Sequence, residues 1–279
     1  MSDVTHALPF PCRRADIDDV AACLQVFGLI CEESPFYAEQ GGQVYDTGVL
    51  LVEAEDGDDA LFEVQDCQKF GGYVLHIGTL KGGALQLEAP IQVRVDYARR
   101  GRIAPNHTCT HTLNYALRKV LCKDDAKVKI DQRGSLNSPE VLRFDFTYGK
   151  ALTGEQLAAV EQLVQQDVAA DLKVYIKESP LAAAKKINTL RAVFGEAYPD
   201  PVRVVSIGVP VDTLLEDPEN PSWMNNSVEF CGGASITPPS LHEPVCGVLL
   251  LVYGGPSHPS VGFDQARTWS RSVPPRASS

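Results

Sequence analysis

The sequence has no long apolar run. The longest, residues 248–253, falls far short of the roughly 18 residues a membrane helix needs. The first residues carry no basic segment followed by an apolar stretch, so no secretory leader is visible. Cysteine is sparse: eight in 279 residues, at 12, 23, 31, 67, 109, 122, 231 and 246, and no two form a CxxC pair. That scatter argues against a disulfide framework and for a reducing compartment. Basic charge is also scarce, with a net charge of −11, which excludes wholesale coating of nucleic acid. What remains is ordinary: 44% hydrophobic and 22% charged residues, enough chain for about two domains with real cores.

The charge is unevenly placed. Residues 1–93 carry 4 basic and 16 acidic side chains, and residues 94–133 carry 10 basic and 4 acidic. A basic window in an acidic chain is either a solvated helix face with a linker or a local phosphate-contacting patch.

Residues 1–30 show no clean period and read as a poorly ordered lead-in with one short helix at 19–27. From 31 to 103, β-rich runs at 49–54, 62–65, 73–79 and 91–95 alternate with Gly-Gly or acidic turns, which suggests a small antiparallel barrel or sandwich. Residues 97–105 read as a basic linker. Helical spacing follows at Leu113, Ala116, Leu117 and Val120. Thr153 and Gln156 form a capping-box pattern opening a helix to about Ala170. Strands are expected at 141–146, 171–176, 202–208 and 228–231, with a helix at 180–189. The fold class is therefore α+β: a barrel at 31–103 and a two-layer α/β domain at 104–233. Residues 234–279 hold 7 of the 19 prolines and read as a loose tail, structured only at 245–253.

Three clusters can carry chemistry. His107 and His111 are four apart on a helix, which sets both imidazoles on one face, suited to one metal ion; either residue can equally cap or pack. Without the Glu of HExxH the pair is no zincin signature. Cys231, at a strand end before Gly232, is a candidate thiolate ligand or a buried cysteine before a turn. Gly41, Gly42 and Gln43 either aim backbone N–H groups at an anion, with Gln43 able to hydrogen-bond or orient water, or simply form a hairpin turn.

In order, the motifs are more specific than any one of them. The run SPFYAEQGGQVYDTG (34–48), then GYVLHIG (72–78), NHTCTH (106–111), GSL (134–136), LRFDF (142–146), YPDPVRVVSIG (198–208) and SVEFCGG (227–233) resembles the editing portion of eukaryotic-type alanyl-tRNA synthetases. It is also similar to free-standing AlaX trans-editing proteins. The resemblance covers about residues 31–233. It implies a barrel followed by the editing domain shared with threonyl-tRNA synthetases, and hydrolysis of tRNA(Ala) mischarged with serine or glycine. It also implies Zn²⁺ on His107, His111 and Cys231, with Gln43 and Thr110 at the catalytic pocket. Gly41, Gly42, Arg99, Arg100 and Arg143 are the expected contacts to the acceptor end of tRNA(Ala), and charge reversal at Arg99 and Arg100 is expected to lower tRNA affinity.

The likeness stops after Gly233, and Ser235 stands where the family's fourth ligand is expected. The thirty residues before the match cannot hold an aminoacylation domain, so no independent ATP site is expected. Neither is a membrane partner, and the setting expected is cytoplasmic. The alternative reading is a catalytically inactive tRNA-binding remnant or a fragment of a full synthetase.

Overall fold

The computed structural model describes residues 2–9, 26–52, 59–85, 89–123, 129–192, 197–232, 251–253 and 260–264. The chain is a mixed α+β protein whose sheets are antiparallel, and it divides into two compact units, 1–103 and 104–279.

The first unit is built of strands β1 (Ser2–Pro9), β2 (Val26–Cys31), β3 (Gly48–Val52), β4 (Ala60–Phe70), β5 (Tyr73–Gly82) and β6 (Pro90–Val95). Their order is β1-β2-β5-β4-β3-β6, and β1 also pairs with β6 at Ser2↔Ile91. The period-2 alternation of β4 sends Ala60, Phe62 and Val64 into a core with Leu29, Leu50 and Ile91. The β4–β5 hairpin turns at Gly71 and Gly72, both at positive φ, a conformation that other residues adopt only with strain. At Gly78 a Cβ would lie 1.8 Å from the Glu63 carbonyl oxygen, so the two strands meet there only because the side chain is absent.

The poorly ordered lead-in is corrected at 2–9 and 26–30, where β1 and β2 form. The helix expected at 19–27 gives way at its end to strand, because Val26 to Cys31 pairs with β1 and β5; residues 19–25 lie outside the described ones.

The basic linker is corrected as well. Helix α1 runs Tyr97–Leu121. Asp96 Oδ1 accepts from the Arg99 backbone N–H at 2.9 Å, so the start signal lies ten residues before Asn106. Pro105 sits inside the helix and costs it a backbone bond, which is why the sequence there reads as a break.

The second unit continues with β7 (Gln132–Asn137), β8 (Val141–Phe146), α2 (Gly154–Ala169), β9 (Val174–Ser179), α3 (Leu181–Ala184), β10 (Val202–Ile207), α4 (Val211–Glu216), β11 (Val228–Phe230), β12 (Leu251–Tyr253) and β13 (Ser260–Asp264). Helix α2 begins with the anticipated capping box: Thr153 Oγ1 accepts from Gln156 N, and Gln156 Oε1 accepts from Thr153 N. The helix expected at 180–189 shortens to the single turn of α3, where the backbone passes into successive tight turns up to Leu190. The loose tail is corrected in part, since β12 and β13 extend the sheet β12-β13-β8-β7, while most of 233–279 lies outside the described residues.

Two cores organise this unit. Leu113, Ala116 and Leu117 of α1 and Val160 and Val164 of α2 bury Leu142, Phe144 and Phe146 of β8. The sheet β11-β10-β9 is packed through Val202, Val204 and Val228 against Ala184 and Leu214.

Candidate metal centre

Residues 107 and 111 of α1 lie on the face that meets β11. Ser227 Oγ donates to the His111 carbonyl at 3.2 Å, tying the strand to the helix. Along β11 the alternation of a strand sends Glu229 and Cys231 to one side. Cys231 is held from its backbone: Arg203 Nη1 donates to its carbonyl at 2.7 Å. The result is a cluster in which one donor atom from each of His107, His111 and Cys231 lies within 4.8 Å of the others. His107 Nε2 is 3.0 Å from Cys231 Sγ, and the imidazole centroids are 5.4 Å apart. Both histidines are buried, at 3% and 4% exposure.

Sequence reasoning missed the second tier. Glu229, itself buried, accepts a hydrogen bond from His111 Nδ1 through one carboxylate oxygen at 2.6 Å. Its other oxygen accepts from Asn114 Nδ2 at 2.7 Å. A readable signal existed: an acidic residue two positions before Cys231 in an otherwise apolar strand faces wherever the cysteine faces. A carboxylate holding one imidazole nitrogen leaves the other for a metal, as in carboxylate–histidine–zinc triads. Consistent with this, His111 Nε2 is buried without a hydrogen-bond partner.

The electrostatics favour a thiolate. Burial alone would push the Cys231 thiol up, but the hydrogen bond with His107 and the neighbouring His111 ring outweigh it and bring it down to about 5. Burial would lower His111, yet the Glu229 carboxylate raises it to about 10. Burial would raise Glu229, and His111 beside it holds the carboxyl below its usual range. By contrast, burial pushes Cys31 and Cys109 up to about 12, leaving both as inert thiols.

The remaining predicted site residues scatter. Thr110 shares the helix with the two histidines. Its Oγ1 is 2.9 Å from Asn137 Oδ1 and 3.1 Å from the Asn106 carbonyl, so its hydroxyl proton is already taken inside the unit. Arg143 is not gathered with the cluster: Leu142, Phe144 and Phe146 point into the core, and Arg143 on the opposite face pairs with Asp145 at 3.2 Å.

Gly41, Gly42 and Gln43 belong to the first unit. The two glycines have φ of 58° and 79°, and Gln40 and Gln43 exchange backbone hydrogen bonds across them, so the hairpin-turn alternative describes their backbone. The Gln43 side chain is wholly buried, and neither of its polar atoms has a hydrogen-bond partner. Arg99 donates to the Tyr45 carbonyl and lies over its ring at 5.3 Å. Arg100 pairs with the buried Asp46 and donates to the Pro35 carbonyl at 2.6 Å, while Asp46 also accepts from Tyr37 N at 2.7 Å. Charge reversal at Arg100 therefore breaks this loop clasp before it tests any tRNA contact. Ser235 lies outside the described residues.

Residues 12–99 match the family model for class II (A) tRNA synthetases. The chain is 49% identical over 221 residues to the cytoplasmic alanine–tRNA ligase of Dictyostelium discoideum, covering 78% of this chain and 23% of that protein. It is 44% identical to the mitochondrial enzyme of Saccharomyces cerevisiae over 220 residues, 79% of this chain and 22% of the relative. It is 43% identical to the human mitochondrial alanine–tRNA ligase over 209 residues, 75% and 20%. The chain belongs to the alanyl-tRNA synthetase family. It spans between a fifth and a quarter of the length of these three ligases. Among the described residues no helix is long and apolar enough to cross a membrane.

Proposed function

We propose that the chain is the editing portion of this family, hydrolysing the ester of tRNA(Ala) mischarged with serine or glycine, in a cytoplasmic setting. The observation that carries the reading is the buried trio His107, His111 and Cys231 backed by Glu229. Its donor set, two imidazoles and a thiolate with a carboxylate behind one imidazole, suits Zn²⁺. Three protein ligands leave a fourth position open to water or substrate, the usual composition of a catalytic site, and Ser235 in place of a fourth ligand is compatible with it.

When bound, zinc supplies a Lewis acid against the ester carbonyl and lowers the pKa of a coordinated water toward ~7. The chain's own residues do the rest. Glu229 keeps the His111 Nδ1 proton in place and so fixes the tautomer that presents Nε2. Asn114 holds Glu229, and Arg203 holds the Cys231 backbone. Recognition of serine over alanine needs a polar group that the serine hydroxyl satisfies. Gln43 of the first unit is proposed as such a group, because its buried amide has no partner of its own; Thr110 is proposed separately, beside the two histidines of its own helix. In this reading the ring of strands closed by β1 is the barrel domain and residues 104–233 are the editing domain. The partner is the acceptor end of tRNA(Ala).

The test is serine release from Ser-tRNA(Ala) by the purified chain. Hydrolysis that disappears in His107→Ala and after chelation supports the reading. Tight tRNA(Ala) binding without hydrolysis would establish a binding remnant instead.

A further inference from the structure

His76 lies on β5 and Ser34 in the loop after β2, both inside the first unit. Ser34 Oγ is 2.7 Å from His76 Nε2, and His76 Nδ1 is 3.1 Å from the Leu29 carbonyl. A carbonyl only accepts, so Nδ1 carries the ring proton and Nε2 presents its lone pair. The Ser34 hydroxyl therefore donates to the ring. Cys31 Sγ, 3.8 Å from Nδ1, serves as a weak acceptor of the same ring proton. The order is hydroxyl, imidazole, orienting acceptor, which is the arrangement that activates a serine.

The oxygen keeps an electron pair for attack. Its proton goes to Nε2, and one lone pair accepts from Phe36 N at 3.1 Å, which leaves the second lone pair. The ring is wholly enclosed and held edge-on by Phe36 at 5.1 Å. Burial keeps it below its usual range, so it is an unprotonated base at neutral pH. Ser34 is only half-buried, and Glu32, Glu33 and Pro35 beside it in the chain are exposed. The base is shielded from water while the nucleophile is reachable. The hydroxyls of Ser227 and Thr110 differ, because their acceptors are carbonyl oxygens and an amide oxygen that cannot take a proton away.

We propose that Ser34 and His76 are a nucleophile–base dyad that takes an acyl group from an ester. This chemistry needs no metal and does not rest on the editing reading. Ser34 Oγ attacks the ester carbonyl carbon while its proton passes to His76 Nε2. The bond from that carbon to the alcohol oxygen then breaks, and its electron pair leaves with the oxygen. That oxygen takes the proton from Nε2. The products are an ester on Ser34 and the free alcohol, and the ring ends in its starting tautomer, still held by the Leu29 carbonyl.

The experiment treats the full chain with p-nitrophenyl acetate at neutral pH and follows each acetylated peptide by mass spectrometry. Exposed Ser222 in the same chain is the internal standard. A positioned general base contributes about 100-fold or more, so Ser34 should acetylate about 100-fold faster than Ser222. His76→Gln should remove that advantage, and Ser34→Ala should remove the adduct. His76 is enclosed, so a second comparison guards against loss of the fold in its variant. It uses the parent unfolded in urea, where the rates at Ser34 and Ser222 should converge. Acetylation of Ser34 no faster than that of Ser222 in the folded parent overturns the dyad. So does a Ser34 rate that is unchanged in a folded His76→Gln variant or in the urea-unfolded parent.

Discussion

Each unit buries histidine, and the two do so in opposite ways. In the first unit His76 is wholly enclosed, and both ring nitrogens are satisfied: Nδ1 lies 3.1 Å from the Leu29 carbonyl and Nε2 2.7 Å from Ser34 Oγ. Phe36 stacks edge-on at 5.1 Å. Burial holds this imidazole below its usual range, so it stays neutral and braces the loop after β2. In the second unit His107 and His111 are as deeply buried, but His107 Nδ1 and His111 Nε2 have no hydrogen-bond partner, and a thiolate and a carboxylate stand against the rings. Burial alone therefore says little about a histidine. What separates a brace from a ligand is whether the protein itself completes the ring's hydrogen bonds.

The sharpest way to break the comparison is to remove one residue from each side. Cys231→Ala should abolish zinc retention and reduce serine release to background, while His76→Ala should leave zinc content unchanged. Next in size, Glu229→Gln should weaken zinc affinity 10- to 100-fold in a chelator competition, because the His111 tautomer loses its anchor. His76→Ala should cost about 3 kcal/mol in a denaturant melt, from lost packing and the stranded Ser34 and Leu29 groups.

The pH dependence sharpens the same contrast. Unfolded, His76 takes a proton near pH ~6.5; folded, only at lower pH. The unfolded state thus binds more protons below ~6.5, and stability must fall as the pH falls through that window. The parent should lose more stability between pH 7.5 and 5.5 than His76→Gln, as read by melts of both. The smallest effect is Thr153→Ala, about 1 kcal/mol from loss of the α2 cap, with zinc binding untouched. A drop in zinc content there would mean that general loosening, and not ligand chemistry, governs the cluster.

How much of this was legible depended on the range of the signal. The i, i+4 pair and Cys231 were readable because local spacing and a strand-end position are sequence properties, and β8 and the α2 capping box were readable for the same reason. The first turns of α1 were not, because Gly101, Pro105 and three arginines hide a helix whose start is set by one capping side chain, Asp96. Glu229 and Asn114 were passed over since their importance arises only when β11 lies beside α1. Arg100 looked like a free cation in a basic window, and its partner Asp46 is 54 residues away. Charge windows count residues and do not see such pairings.

The account stands or falls on metal content. Purified under reducing conditions, the chain should hold one zinc per molecule by elemental analysis. Substituting His107, His111 or Cys231 singly should bring that to near zero with the fold intact by circular dichroism. A well-folded parent that carries no zinc, and takes up none when it is supplied, would contradict the central claim and leave the trio as a packed thiolate–imidazole cluster.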